Sequence, residues 1–237
     1  MATAEQVSQF PDLSGKPPIE IIRWAWETYG ERLMTTTAFG YSGMAMLHML
    51  SKVAPDVPIY FINTGYHFSQ TIEFRDFCRD RLGMNIIDLT PETPREKFES
   101  IHGDDLMRRD PDKCCAHNKV APMTRLLAER RYDGWLAALR RDQAKTREGV
   151  RIIEPRTASG IVKVHPLAEW TKAQVWHYIN QNKVPTHPLH EEGFMSIGCA
   201  PCTRPVGLGE DERDGRWAGK TKTECGIHLE GMGGDGI

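Results

Sequence analysis

The first half of the chain alternates between short apolar runs and longer segments with helical periodicity. Residues 57–65 (VPIYFINTG) are almost continuously apolar, which predicts a strand buried on both faces of a parallel sheet. Residues 32–39 (RLMTTTAF) also predict a strand, because Thr and aromatic side chains suit a pleated surface. Two more strands are predicted at residues 85–89 and 134–139.

The segments between these strands predict helices. In residues 44–53, Met46, Met49, Leu50 and Val53 recur at i, i+3, i+4 and i+7 and form one apolar stripe. Further helices are predicted at 69–83, 93–109, 119–131 and 170–184, the last with a capping box of Thr171 and Gln174. This alternation favours an α/β fold with a mainly parallel, twisted sheet flanked by helices.

Length and composition predict one domain over residues 1–237, since 237 residues at 40% hydrophobic content can bury a substantial core. We expect an N-terminal extension over about 1–18 and a mobile C-terminal flap and tail over about 203–237, where periodicity fades and glycine is frequent. A net charge of −2 gives no electrostatic footprint for nucleic acid or an acidic membrane. No signal peptide or bilayer-length apolar run is evident, so we expect a cytoplasmic protein.

Six cysteines are unevenly spaced along the chain. Cys114 and Cys115 are adjacent, and Cys199 and Cys202 form a CxxC pair, so two pairs offer four thiolate ligands. Zinc is one interpretation, but adjacent thiolates fit a single tetrahedral ion poorly, which favours a 4Fe-4S cluster. His117 is an alternative ligand, although a surface position is expected for it. Cys78 lies on the apolar face of a predicted helix and is expected to be a core residue.

Cys225 lies near the C-terminus in the polar segment KTECGIHLE, where a core cysteine is not expected. Three basic residues lie within five positions of it and would favour its thiolate form: Lys220, Lys222 and His228. This pattern predicts a nucleophile, and an incidental surface thiol is the alternative.

Cationic residues and short glycine-containing loops lie close in sequence to the predicted strands and to the cysteines. The cations are Lys119, Arg140, Arg141, Arg213 and Arg216; alone each is typical of a solvated surface, but together they predict a polyanion site. The loop TTTAFGYSG offers Thr36, Thr37, Gly40, Ser42 and Gly43 and is typical of a phosphate-binding turn before a helix. A second loop, Asn63 to Gly65, is placed for nucleoside contact through Thr64 and Gly65.

These motifs, in this order, resemble the assimilatory adenylyl-sulfate (APS) reductases of the CysH-type APS/PAPS reductase family. The resemblance rests on KCC…K, LRRDQ, HPL…GCAPCT, GRW and KTECGIH and runs from about Arg32 to Leu229. It implies an adenine-nucleotide α-hydrolase (PP-loop) fold with a C-terminal flap that carries the catalytic cysteine. It further implies that Cys225, Lys119 and His228 act in catalysis and that the paired cysteines hold a 4Fe-4S cluster. The loop and arginine residues named above would bind substrate.

The implied reaction is the thioredoxin-dependent reduction of APS to sulfite and AMP through a Cys225 S-sulfonate, with glutaredoxin as another candidate donor. At Ser42 and Gly43 the chain departs from the acidic loop common in APS reductases, so PAPS or dual use remains an alternative. An ATP-dependent sulfurtransferase would need an SGGxDS loop, which FGYSGM does not supply. A non-catalytic metal-binding module would leave ECGIH without a use, and a homo-oligomer is left open.

Overall fold

A computed structural model describes residues 10–155 and 160–227, and these ranges contain a six-stranded sheet. The strands are β1 (Leu33–Thr37), β2 (Ile59–Ile62), β3 (Ile86–Leu89), β4 (Gly134–Leu136), β5 (Ile153–Glu154) and β6 (Val162–Val164). Their order is β3-β2-β1-β4-β6-β5; β5 pairs antiparallel with β6 at one edge, and the other pairings are parallel. The predicted mainly parallel α/β sheet is confirmed.

Helices connect and flank these strands. They are α1 (Pro18–Tyr29), α2 (Tyr41–Val53), α3 (Ser69–Asp80), α4 (Arg95–His102), α5 (Leu106–Arg109), α6 (Pro111–Cys115), α7 (Ala121–Glu129) and α8 (Lys172–Asn182). A π-helical turn, Ala116–Val120, joins α6 to α7. Within the described ranges, no helix combines the length and apolarity needed to cross a bilayer.

Strand residues alternate between two hydrophobic layers, one on each face of the sheet. Leu33 and Phe61 pack into the larger layer with α1, α2 and α8, whereas Met34 and Tyr60 pack into a second layer with α7. This period of two is what a strand buried on both faces requires. Cys78 is fully buried in the larger layer, which confirms its assignment to the core.

Several predicted elements have different bounds in the structure. The predicted helix at 93–109 is two helices, because Gly103 takes the left-handed φ of 85° between them. The predicted capping box of Thr171 and Gln174 is present at the start of α8. Sequence analysis did not predict α1, β5 or β6, and it placed the end of the N-terminal extension where α1 begins. Residues 228–237, which include His228 and most of the predicted glycine-rich tail, lie outside the described residues.

A close approach at Gly134 gives a test of this packing. A Cβ at Gly134 would lie 2.5 Å from Tyr29 Cδ2 and 2.9 Å from Leu33 Cδ1, so Gly134→Ala overpacks the junction of α1 and β4. We expect a loss of about 1–3 kcal/mol in the free energy of unfolding, measured by urea denaturation. Gly149→Ala is the matched control, because nothing lies within 4 Å of its Cβ. Equal stability of the two variants would contradict the described packing.

Candidate active site

A cleft of about 210 Å³ that is open to solvent lies at the carboxyl ends of β1 and β4. The chain proceeds from β1 to β2 and β3 on one side, whereas β4 lies on the other side of β1. Ligands of open α/β sheets bind at such a reversal of strand order. The structure brings the following predicted site residues to the cleft: Thr36, Thr37, Gly40, Ser42, Gly43, Lys119, Arg213, Arg216 and Cys225.

The loop from β1 into α2 forms one wall of the cleft. Thr37 Oγ1 accepts a hydrogen bond of 2.9 Å from the backbone N–H of Phe39, which has a left-handed φ of 59°. Thr36 Oγ1 accepts a hydrogen bond of 3.2 Å from the indole N–H of Trp135. Gly40 then leads into the first turn of α2. The free N–H groups and the dipole of a helix N-terminus favour an anion at this wall.

Arg140 is fully buried behind this loop and supports it. Its guanidinium donates hydrogen bonds to the hydroxyl groups of Tyr41 and Ser42. It also pairs with Asp142 at 2.8 Å and with Glu212 at 3.1 Å. These contacts correct the sequence-based expectation: Arg140 orients the start of α2 and is not part of the described lining of the cleft.

Three other predicted binding residues also lie outside the described lining of the cleft. Arg141 pairs with Glu169 at 3.3 Å, on the partly exposed side of the β4 loop. Thr64 Oγ1 lies 3.3 Å from Cys199 Sγ, and the carbonyl of Gly65 accepts a hydrogen bond from an arginine of α4. Thr64 therefore belongs with the cysteines, and the described contacts of Arg141 and Gly65 are structural.

Lys119 lies between the cysteines and the cleft, in the π-helical turn that follows α6. Burial opposes its charge, but Cys199, Cys225 and Cys115 around it raise the pKa of the Lys119 ammonium above its ordinary value. Burial likewise opposes ionisation of Cys199, but the charge of Lys119 lowers the pKa of that thiol. Lys119 is therefore a cation in contact with both the cysteines and the cleft.

Two arginines of the predicted flap, Arg213 and Arg216, also line the cleft, and with Lys119 they form its cationic wall. Arg216 stacks on Trp217, with its guanidinium carbon 4.4 Å from the ring centroid, and donates to the carbonyl of Ile197 at 3.2 Å. Its Nη2 atom is buried and has no hydrogen-bond partner within the described part of the chain. Burial and the neighbouring Arg147 lower the pKa of Arg213 to about 10. An anion in the cleft would satisfy Arg216 Nη2, whereas Arg213 already donates to the carboxylate of Glu224 at 3.0 Å.

Cys225 reaches the cleft because the residues before it are attached to the domain. The ammonium of Lys222 pairs with Asp112 in α6. The carboxylate of Glu224 pairs with Arg147 at 2.9 Å. The predicted nucleophile and the predicted cations are therefore neighbours in space, although Lys119 and Cys225 are far apart in the chain.

The two cysteine pairs line a second, small pocket beside Lys119. Cys114 and Cys115 end α6, and Cys199 and Cys202 lie at the 3₁₀ turn Ala200–Cys202. Burial raises the pKa of Cys114 to about 12 and that of Cys115 to about 11. All four cysteines are free thiols. No three described His, Cys, Asp or Glu side chains converge as ligands of one metal ion.

Sequence analysis missed several residues of the cleft: Arg147, Glu224, Glu212, Gln143 and His67. Arg147 and Glu212 lie in polar segments without periodicity, so nothing in the sequence distinguished them from surface charges. Glu224 had one usable signal, its position directly before the predicted nucleophile. His117, the alternative metal ligand, instead packs between the rings of Phe98 and His102.

Comparisons with known proteins agree with this geometry. Residues 32–205 match the family described as phosphoadenosine phosphosulfate reductase domain. A protein named adenosine 5′-phosphosulfate reductase from Halalkalibacterium halodurans is 41% identical over 218 residues, covering 91% of this chain and 93% of the relative. One of the same name from Streptomyces coelicolor is 41% identical over 227 residues, covering 96% of this chain and 94% of the relative.

Solved structures show the same fold. The phosphoadenylyl-sulfate (PAPS) reductase from Candida auris, in a phosphate complex, has a TM-score of 0.74 and 33% identity, covering 85% of this chain and 97% of that chain. FMN adenylyltransferase from Candida glabrata has a TM-score of 0.56 and 16% identity, covering 84% of this chain and 71% of that chain. The second likeness concerns the fold alone and agrees with the expected PP-loop-like architecture.

Gly198 gives a test of the cationic wall. A Cβ at this position would clash with the guanidinium group of Arg216, which is the far end of a long side chain, so Gly198→Ala displaces Arg216 while the backbone stays in place. We expect inorganic phosphate to bind about tenfold more weakly, measured by titration calorimetry, because a charge-assisted contact is lost. The melting temperature without phosphate should change little. Unchanged phosphate affinity would remove Arg216 from the anion site.

Proposed function

This chain belongs to the phosphoadenosine phosphosulfate reductase domain family, and we propose that it reduces adenylyl sulfate (APS) to sulfite and AMP with a dithiol protein as electron donor. The observation that carries this proposal is the position of Cys225 in a cleft that Lys119, Arg213 and Arg216 also line. The curated relatives named adenosine 5′-phosphosulfate reductase support APS as the substrate. The Candida auris PAPS reductase supports the same chemistry on the phosphorylated nucleotide as the alternative.

The cleft is suited to a nucleotide that carries a phosphate–sulfate anhydride. The N-terminus of α2, with Thr37, Gly40 and Gly43 in the lining of the cleft, would bind the phosphate, because the free N–H groups of a helix N-terminus favour an anion. Arg213 and Arg216 on the facing flap would bind the sulfate. The reacting sulfur would then lie between these walls, next to Cys225.

The physical difficulty is that an anionic thiolate must approach an anionic sulfonyl group. Two like unit charges about 4 Å apart repel by about 4 kcal/mol at an effective dielectric constant of about 20. The ammonium of Lys119 and the guanidinium groups of Arg213 and Arg216 offset this repulsion because they are already oriented in the cleft. The same cations stabilise the charge that develops on the leaving phosphate.

The proposed reaction has two displacement steps. The Cys225 thiolate attacks sulfur, the bond from sulfur to the bridging oxygen breaks, and AMP leaves with the electron pair. The product is a Cys225 S-sulfonate. A thiolate of thioredoxin or glutaredoxin then attacks Cys225 Sγ and expels sulfite, and its second thiol resolves the mixed disulfide. The donor is oxidised by two electrons, and Cys225 is regenerated. His228, predicted to act in catalysis, lies outside the described residues.

The adjacency of Cys114 and Cys115 supports the proposal of a 4Fe-4S cluster over zinc in the cysteine pocket. Zinc would need its four sulfurs about 2.3 Å from one ion, a geometry that the adjacent Cys114 and Cys115 meet poorly. A cluster presents a separate iron to each thiolate, so four free cysteines around one enclosed pocket match its donor set. Cys114, Cys115, Cys199 and Cys202 would hold it. When bound, the cluster would supply a rigid, charged group beside Lys119, while the dithiol supplies both electrons.

The assignment of the nucleophile is tested with Cys225→Ser. With ³⁵S-labelled APS and no reductant, we expect the unmodified protein to form a labelled S-sulfonate and Cys225→Ser to form none, while AMP binding is retained. Cys78→Ala is the matched control, because Cys78 is buried in the core away from the cleft. A labelled adduct on Cys225→Ser would show that another group is the nucleophile. Steady-state assays of the unmodified protein with APS and with PAPS, under the same conditions, then give the substrate preference.

The cluster is tested by iron analysis of anaerobically purified protein. We expect about four iron atoms per chain, with visible absorbance and acid-labile sulfide. Cys202→Ser should lose most of the iron, whereas Cys78→Ala should retain it. A colourless protein with one zinc per chain would contradict the cluster and favour a structural metal site.

A further inference from the structure

Glu224, the residue directly before Cys225, carries a carboxylate into the cationic cleft. Arg147 binds it in a bidentate fork, with Nε 2.9 Å from Oε1 and Nη2 2.9 Å from Oε2. Arg213 Nη2 lies 3.0 Å from Oε2, and Thr146 Oγ1 donates to Oε1 at 3.3 Å. The Arg147 and Glu224 side chains are only 10% and 11% exposed. This is a shielded, fully bonded ion pair, unlike a surface salt bridge.

The charges explain why a carboxylate is held at this point. Arg147 and Arg213 repel each other, and burial of both in one wall would be unfavourable without an anion between them. Although burial opposes its ionisation, the hydrogen bonds and charges of Arg147 and Arg213 hold the pKa of Glu224 below its ordinary value. Glu224 is therefore an internal counter-ion supplied by the same segment that carries the nucleophile.

Arg147 is itself fixed to the sheet. Its Nη1 donates to Gln143 Oε1 at 2.6 Å, and the backbone N–H of Arg140 donates to the same oxygen at 3.1 Å. These residues lie in the segment that follows β4, so a continuous set of hydrogen bonds runs from Arg140 in that segment to Glu224. Fork-to-fork geometry fixes direction as well as distance, which a lysine in the same place would not do.

A fixed Glu224 constrains Cys225, because consecutive Cα atoms are about 3.8 Å apart. On the other side of Cys225, Gly226 has a φ of 90° and lies so near Val120 that a Cβ would be 3.2 Å from its Cγ2. The nucleophile is thus bracketed by an ion pair and a close backbone approach in a segment that has no helix or strand.

We propose that Arg147 and Glu224 are a positioning pair that holds Cys225 in the cleft before any substrate arrives. The pair keeps the thiol beside Lys119 and leaves Arg216 and the N-terminus of α2 free to bind the incoming anion. Neither residue takes part in bond making. The expected effect of this pair on turnover rests on the proposed function. Its expected effect on the position of the Cys225 thiol does not.

The position is tested by alkylation of Cys225 without substrate, using a bulky maleimide and mass mapping of the modified peptide. We expect Glu224→Gln and Arg147→Met each to raise the alkylation rate of Cys225 about tenfold, because a charge-assisted fork is lost. The double variant should resemble either single variant, since both remove the same pair. Arg204→Met is the matched control: it breaks the exposed Arg204–Glu210 fork of the flap and should leave the rate unchanged.

Turnover separates positioning from competition with substrate. If the pair positions Cys225, kcat for APS reduction falls in Glu224→Gln while the dissociation constant for AMP stays within about twofold. If Glu224 merely competes with substrate for Arg213, the same variant binds substrate more tightly and turns over faster, which would overturn the proposal. Unchanged alkylation in both single variants would also overturn it. Absence of APS reduction by the unmodified protein would instead refute the proposed function and leave the alkylation result intact.

Discussion

Four cations line one cleft, and the rest of the site depends on how their charges are balanced. Lys119, Arg147, Arg213 and Arg216 come from three separate segments, yet they face one space at the ends of β1 and β4. Such a concentration of like charge is unfavourable unless anions are brought to it. The chain supplies part of that balance through the carboxylate of Glu224. An incoming phosphosulfate would supply the remainder, so the same imbalance that costs folding free energy favours substrate binding.

The parallel sheet makes this concentration achievable. Because β1 and β4 are hydrogen-bonded neighbours, the loop before α2 and the loop that carries Arg147 begin at the same edge. Arg140 connects them, since it follows β4 and donates to the hydroxyl groups of Tyr41 and Ser42 in α2. The carboxylate of Glu212, in the flap, pairs with the guanidinium of Arg140. The flap is therefore held against the cleft by buried ion pairs, and its described residues, up to 227, contain no strand or helix.

Helices and strands could be predicted from the sequence wherever the pattern of apolar residues extended over enough positions to show its period. The continuous apolar run of β2 and the stripe of Met46, Met49 and Leu50 in α2 placed both elements correctly, because each is buried on its expected faces. Strands β5 and β6 have only two and three residues, too few for any period to show. Helix α1 was missed although Pro18 at its start and Gly30 after its end are typical boundaries.

In the candidate site, the sequence predicts the residues with characteristic chemistry but not those whose role depends on packing. Cys225, Lys119 and the four cysteines were predicted because thiols and short motifs point to a reaction wherever they lie in the fold. Arg147 and Glu224 were not, since an arginine and a glutamate in polar segments are solvated unless tertiary structure buries them. Arg140 shows the opposite error: its motif suggested substrate, but burial beneath α2 gives it carboxylate and hydroxyl partners instead. Candidate reactive residues can therefore be recognised in the sequence, whereas the residues that position them are recognised only from the tertiary structure.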